Sequence, residues 1–176
     1  MAELFKNKYR IPSVRLQSWN YANEGFYFVT ICTKDKACYF GNIQEATLNP
    51  TEIARFAHQE WFKTTELRLD MNIELAEFVI MPNHIHGIII IGRNEFNKAN
   101  HNDFKSQFNS PAKNLSSIIR GYKIAVTTYA RKNNIEFDWQ SRFHEHIIRS
   151  EDDYLKIASY IINNPSNWGN DQLYES

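Results

Sequence analysis

Hydrophobic side chains along the chain recur with two periods, one typical of strands and one typical of helices. Apolar runs rich in aromatic and β-branched residues predict five strands, and apolar positions three and four apart predict three helices. The predicted strands lie at 25–33, 37–44, 72–81, 84–92 and 144–149, and the predicted helices at 48–68, 114–132 and 150–164. Paired strands mixed with helices predict an α+β fold of the ferredoxin-like or RRM-like type, an antiparallel sheet with helices packed mainly on one face.

Short polar segments mark the ends of these elements. The polar run 34–36 predicts a hairpin between the first two strands, and Pro82 with Asn83 predicts a turn between the next two. Pro50 suits the first turn of the first helix, and Ser150 with Asp153 resembles a capping box at the start of the last. The long polar segment 93–113 predicts a mobile loop.

Length and composition indicate one domain over residues 1–176. The chain is 43% hydrophobic and 14% aromatic, enough to build one substantial core. It has no apolar run of 18 residues and no apolar segment near its amino terminus, so we expect no membrane partner, no signal peptide and a cytoplasmic location. The formal net charge is zero, so bulk charge alone does not indicate a nucleic-acid partner.

Charged residues are unevenly distributed along the chain, although the net charge is zero. The amino-terminal arm, residues 1–20, carries four basic residues and one acidic residue, and residues 103–132 carry six basic residues and one acidic residue. Such segments can follow a phosphate backbone even on a neutral protein. A solvated helix face explains the second segment almost as well, so both interpretations stay open.

Two histidines stand one residue apart in the apolar run "MPNHIHGIIII". Side chains alternate along a strand, so His84 and His86 lie on one face and can share a metal ion. The alternative is that both are buried, hydrogen-bonded histidines with a structural role. A second pair, His144 and His146, leaves two further possibilities open, a four-histidine metal site or a polar rim.

The last predicted helix carries a tyrosine away from its inward stripe. At about 100° per residue, Tyr154, Ile157 and Ile161 point inward, whereas Tyr160 and Asn164 share a flank at i and i+4. A phenol beside an amide that could bind the same metal ion would place a nucleophile next to an ion that activates its target. An ordinary boundary aromatic is the alternative.

Four ordered blocks resemble the single-tyrosine HUH transposases, in which HUH stands for His, hydrophobic residue, His. The blocks are "FVIMPNHIHGIIII", "SSIIRGYKIAVT", "WQSRFHEHIIR" and "YIINNPSNW", and the similarity spans about residues 10 to 168. The chain is most similar to the branch called REP-associated tyrosine transposases. The resemblance implies an RRM-like enzyme that cuts and rejoins single-stranded DNA beside hairpins, through a covalent 5′-phosphotyrosine that leaves a free 3′-hydroxyl.

The resemblance also implies roles for particular residues. His84 and His86 match the HUH metal ligands, Tyr160 the nucleophile and Asn164 the third ligand. Asn followed by Pro is similar to the REP-associated branch, in which a domesticated, immobile enzyme is an alternative to an active transposase. Such ligands add no negative charge to the ion, expected to be Mg²⁺ or Mn²⁺. Insertion-sequence members act as homodimers and REP-associated members can act as monomers, so the oligomeric state stays open.

Candidate DNA contacts come from the basic and aromatic residues. Arginine and lysine side chains are candidates for the DNA backbone, and His146 is a candidate for contact with the substrate. Aromatic rings are candidates for stacking on unpaired bases, with burial in the core as the alternative for each ring. These candidates are Arg10, Arg15, Arg120, Lys123, His146, Trp19, Trp139 and Phe143. Two other functions remain in consideration. One is a non-catalytic nucleic-acid-binding module on the same fold, and the other is a zinc hydrolase, which lacks a carboxylate at ligand spacing near the histidines.

Overall fold

The computed structural model describes residues 20–97 and 113–174. Its strands are β1 Gly25–Cys32, β2 Gly41–Gln44, β3 Thr47–Pro50, β4 Ile73–Met81, β5 His84–Ile91 and β6 His144–Ile148, and its helices are α1 Glu52–Glu66, α2 Leu115–Lys132 and α3 Glu151–Asn163. The predicted arm falls outside the described residues apart from its last residue, and so does 98–112 of the predicted loop. No helix within the described ranges has the length and apolarity needed to cross a membrane.

Four strands form one antiparallel sheet in the order β4-β5-β1-β6. Every adjacent pair in it is antiparallel, and β5 lies between β4 and β1. Strands β1 and β4 are connected through α1, and β5 and β6 through α2, but the two strands of each pair are not neighbours in the sheet. This is the βαββαβ arrangement of a ferredoxin-like fold. The predicted fold class is therefore confirmed.

The helices divide between the two faces of this sheet. Apolar residues of α1 and α2 share one core with the face of β5 that carries Ile85 and Ile89. Helix α3 covers the opposite face, where Ile161 packs with Ile88. The packing on the first face is close, because a Cβ added at Gly87 would lie 2.5 Å from Trp61 Cζ2.

Two details of the predicted elements are wrong. Strand β2 does not form a hairpin with β1, since it pairs with β3 in a separate two-stranded sheet. The turn between them is Glu45–Ala46, both with positive φ, and neither is a residue type that signals such a turn. Residues 48–50 belong to β3, so α1 begins later than predicted, after Thr51, whose side chain accepts a hydrogen bond from Ala54 N.

The other two helices begin where their sequence signals place them. Helix α2 follows Asn114, which forms a capping box with Ser117. Helix α3 follows Ser150, whose hydroxyl accepts a hydrogen bond from Asp153 N. It ends at Asn163, just before Pro165 opens a short 3-10 turn over 165–170. This turn brings the carboxyl-terminal residues back toward the start of β5.

Candidate metal centre and nucleic-acid interface

Both histidines of β5 are buried in the sheet. His84 is fully buried and His86 is 3% exposed. Their side chains alternate with Ile85, which faces the α1–α2 core, so they lie on the face that α3 covers. The two imidazole centroids are 4.5 Å apart, close enough for both rings to reach one ion.

Asn83 fixes the orientation of the His84 ring. Its side-chain nitrogen donates to the backbone oxygens of Lys36, at 3.1 Å, and Leu173, at 2.8 Å. Its side-chain oxygen therefore accepts, and lies 2.8 Å from His84 Nδ1. The proton of a neutral His84 is thus on Nδ1 and the lone pair is on Nε2. Nε2 is buried and has no hydrogen-bond partner among the described residues.

His86 is held from three sides. Its Nδ1 lies 2.9 Å from the Thr30 hydroxyl on β1, and its Nε2 lies 3.2 Å from the Tyr160 hydroxyl. The ring of Phe28 stacks on it with centroids 5.3 Å apart. Of the two ring nitrogens of His86, Nε2 is therefore the one that lies next to the Tyr160 hydroxyl.

The last turn of helix α3 brings Tyr160 to the histidines, and Asn164, which caps that helix, lies on the same flank, as the sequence predicted. Tyr160 is 45% exposed, whereas Asn164 is buried. Asn164 Nδ2 donates to Asp171 Oδ2 at 2.8 Å. Its Oδ1 is buried without a hydrogen-bond partner in the described part of the chain, as His84 Nε2 is. Two buried acceptor atoms without donors are an arrangement that a bound cation satisfies.

Asp171 is a site residue that sequence reasoning missed. His84, His86 and Asp171 each offer a ligand atom within 4.8 Å of the others, a cluster that could hold a metal ion. Nitrogen and carboxylate ligands fit a divalent ion such as Mn²⁺. The sequence predicted ligands without negative charge, and the structure places a carboxylate beside the histidines as well. The only sequence signal was an acidic residue seven positions after Asn164.

Burial sets the protonation state of the site. It lowers the pKa of His84 to about 4, with Asp171 opposing the shift. Burial and the neighbouring His84 lower the pKa of His86 to about 3. Both imidazoles are thus neutral near pH 7, the form that binds metals. Burial and the charge of Asp171 raise the pKa of Tyr160, so its hydroxyl is protonated in the metal-free site.

Comparison with known proteins supports the resemblance seen in the sequence. No family model matches the chain. An uncharacterized protein of Haemophilus influenzae is 44% identical over 167 residues, covering 92% of each chain. The two belong to one family. A solved structure of a REP-associated tyrosine transposase bound to a REP hairpin matches with a TM-score of 0.60 and 21% identity, over 90% of this chain and 75% of that chain.

This second similarity shows that the chain has the fold of the REP-associated tyrosine transposase, so the fold implied by the four sequence blocks is confirmed. A candidate transposase from Deinococcus radiodurans gives a TM-score of 0.39 at 14% identity, over 86% of this chain and 97% of that chain.

The second histidine pair lies apart from the first. Strand β6 pairs with β1, and His144 is opposite Thr30, whose other neighbour is His86. The backbones at His144 and His86 are therefore two strand spacings apart, about 9.6 Å. His146 Nε2 instead lies 2.8 Å from Asp153 Oδ2 on an exposed edge. Neither histidine of this pair belongs to the cluster of His84, His86 and Asp171, and the exposed pair of His146 with Asp153 agrees with a polar rim.

A groove of about 970 Å³ runs between α2 and the segment 138–145. It brings together four of the predicted DNA contacts, and its basic side chains outnumber its acidic ones by four to two. The basic residues are Arg120, Lys123, Arg131 and Arg142, and the acidic ones are Asp138 and Glu145. We call these residues, with Trp139 and Phe143, the basic groove.

The two aromatic rings of the basic groove differ in exposure. Trp139 is 8% exposed and its Nε1 donates to Lys123 O at 3.2 Å, so its ring belongs to the core rather than to a stacking platform. Phe143 is half-buried at the edge of the same core. Arg10, Arg15 and Trp19 lie outside the described residues.

Proposed function

We propose that this protein is a metal-dependent endonuclease and strand transferase of single-stranded or hairpin DNA, a transposase or a domesticated relative of one. The observation that carries the proposal is the meeting of Tyr160 with two neutral histidines, with its hydroxyl 3.2 Å from His86 Nε2. A transposase fold supports it. DNA as partner is drawn from the similar structure, a transposase bound to a REP hairpin.

The proposal assigns His84, His86 and Asn164 as metal ligands, and the ion as Mg²⁺ or Mn²⁺. The unpaired His84 Nε2 and Asn164 Oδ1 support this set, because each is a buried acceptor without a donor among the described residues. When bound, the ion would neutralise charge on the scissile phosphate and polarise it toward attack. The histidines need no deprotonation to bind it near pH 7, since burial already keeps them neutral.

Tyr160 is the proposed nucleophile. Its oxygen forms a bond to phosphorus, the bond from phosphorus to the 3′-oxygen breaks, the phenol loses its proton and the departing 3′-oxygen gains one. The number of phosphoester bonds is unchanged, so an incoming 3′-hydroxyl can reverse the step without another energy source. The exposure of Tyr160, 45%, leaves its hydroxyl accessible to a strand.

The basic groove is the proposed contact for the DNA backbone. Its excess of basic side chains favours phosphates. Arg120 and Lys123 lie on one helix face there, three residues apart, so both can follow one strand.

A covalent-adduct assay tests the proposal. Purified protein is incubated with hairpin-bearing single-stranded DNA and Mn²⁺, and the products are separated on a denaturing gel. We expect an adduct that is lost in Tyr160→Phe, His84→Ala and His86→Ala and is kept in Tyr154→Phe, a tyrosine on the same helix whose hydroxyl donates to Glu77 instead. An adduct that persists in Tyr160→Phe would rule out the nucleophile.

The other outcomes separate the alternatives. DNA binding with no adduct under any divalent ion would favour a non-catalytic binding module. Hydrolysis without an adduct and with stoichiometric zinc would favour a zinc hydrolase. Circular dichroism of each variant shows that the loss of an adduct does not come from unfolding.

A further inference from the structure

Asp171 follows the short 3-10 turn over 165–170, and its carboxylate lies beside His84 and His86. Its Oδ1 accepts a hydrogen bond from Leu173 N at 2.7 Å, which holds the plane of the carboxylate. Its Oδ2 accepts from Asn164 Nδ2 at 2.8 Å and lies 3.5 Å from the Tyr160 hydroxyl. The segment is itself anchored, because Leu173 O accepts from the Asn83 side chain that orients His84.

The position of this carboxylate suits a bound cation. The ligand atoms of Asp171, His84 and His86 lie within 4.8 Å of one another. Ligands about 2.1 Å from an ion are separated by about 3 to 4.2 Å, so small side-chain rotations suffice to close the cluster. Each carboxylate oxygen has two acceptor positions, so Oδ2 can keep the Asn164 hydrogen bond and still bind a cation.

We propose that Asp171 is a direct ligand of the metal ion, beside His84, His86 and Asn164. This inference rests on the proposed metal site and adds to it the carboxylate that the sequence blocks do not contain. The ion would then keep a formal charge of one rather than two. It would also join the carboxyl-terminal segment 165–174 to β5, one of the two inner strands of the sheet.

A positioning role is the rival explanation, in which Asp171 acts only by orienting the Asn164 amide. A double-mutant cycle separates the two roles. The dissociation constant for Mn²⁺ is measured by calorimetry on DNA-free protein for the wild type, Asp171→Ala, Asn164→Ala and the double variant. Removal of a direct ligand should weaken Mn²⁺ binding in both backgrounds, by at least the roughly tenfold loss typical of an outer-shell partner. If Asp171 acts only through Asn164, Asp171→Ala would not change the dissociation constant further once Asn164 is alanine, and that result would overturn the inference.

A second measurement separates contact with the ion from a charge effect at a distance. A thiolate bound to Co²⁺ gives a charge-transfer band in the near ultraviolet. We therefore expect Asp171→Cys to show this band, and Asp152→Cys, on the exposed first turn of α3, to show none beyond the wild type. Weaker binding in Asp171→Ala without a band in Asp171→Cys would indicate charge alone and would count against the inference.

His84→Ala distinguishes the failure of this inference from the failure of the proposed function. If His84→Ala binds Mn²⁺ as the wild type does, the proposed metal site itself is wrong. If His84→Ala loses binding while Asp171→Ala keeps it, the site stands and only the role of Asp171 is wrong. Asp152→Ala serves as the control, since it removes an exposed carboxylate at the opposite end of α3 from Asn164.

Discussion

Acidification should destabilise the protein through the two buried histidines of β5. Burial holds the pKa of His84 at about 4 and that of His86 at about 3, against an ordinary value of 6.5. Between pH 6.5 and about 4 the unfolded chain therefore binds protons that the folded chain does not, so the free energy of unfolding falls as the pH falls. At about pH 5 each histidine accounts for about 2 kcal/mol of this loss, or about 4 kcal/mol for the pair.

Urea unfolding followed by circular dichroism at about pH 8 and about pH 5, with a chelator present, measures this loss. The control is the double variant His84→Gln, His86→Gln, which keeps every other titratable group, including the Asp171 and Tyr160 that face the pair. The wild type should lose about 4 kcal/mol more than the double variant between the two conditions. Equal losses would show that the histidines are not buried in a neutral form, and would refute the physical basis of the site.

Three further predictions follow from single contacts. Asn83→Ala removes the acceptor that fixes His84 Nδ1, and should weaken Mn²⁺ binding about 10- to 100-fold by calorimetry; an unchanged affinity would mean that the ring needs no such support. Arg120→Gln should reduce the slope of log affinity for DNA against log salt concentration by about one unit in an anisotropy titration, whereas Arg55→Gln on α1 should leave this slope unchanged. A slope in Arg120→Gln equal to that of the wild type would exclude the basic groove as the contact for the DNA backbone. Gly87→Ala should cost about 1–3 kcal/mol in urea unfolding, because the new methyl group meets Trp61; a neutral result would mean that the indole can move.

The elements that carry the site were predictable because their signals are local. Helix α2 was predicted at 114–132 and lies at Leu115–Lys132, since its apolar stripe and its cap agree. Strand β5 was predictable from its isoleucines, and strand alternation alone placed His84 and His86 on one face. The flank position of Tyr160 and Asn164 followed from helical spacing. Their meeting with the histidines was not local, and only the family resemblance implied it.

The error at β2 shows where local signals fail. The polar run 34–36 looked like a hairpin turn, but Asp35 and Lys36 adopt positive φ in a 3-10 turn that leads the chain away from β1. The neighbours of β1 are β5 and β6, which follow it much later in the sequence. Pairing over such distances is decided by burial of the whole sheet rather than by the turn residues.

The roles of Asn83 and Asp171 at the site could not be predicted from the sequence, for one physical reason that they share. Asn83 was interpreted as a turn residue, and its turn is real, but its buried amide also connects Leu173 O to His84. Asp171 reaches the site only because the chain reverses over 165–170 and because that same amide holds the returning segment. Each residue therefore acquires its role from a contact between segments about 90 positions apart in the sequence. A metal ion bound by His84 and Asp171 would connect β5 to the carboxyl-terminal segment directly, so the affinity for the ion and the order of that segment should change together.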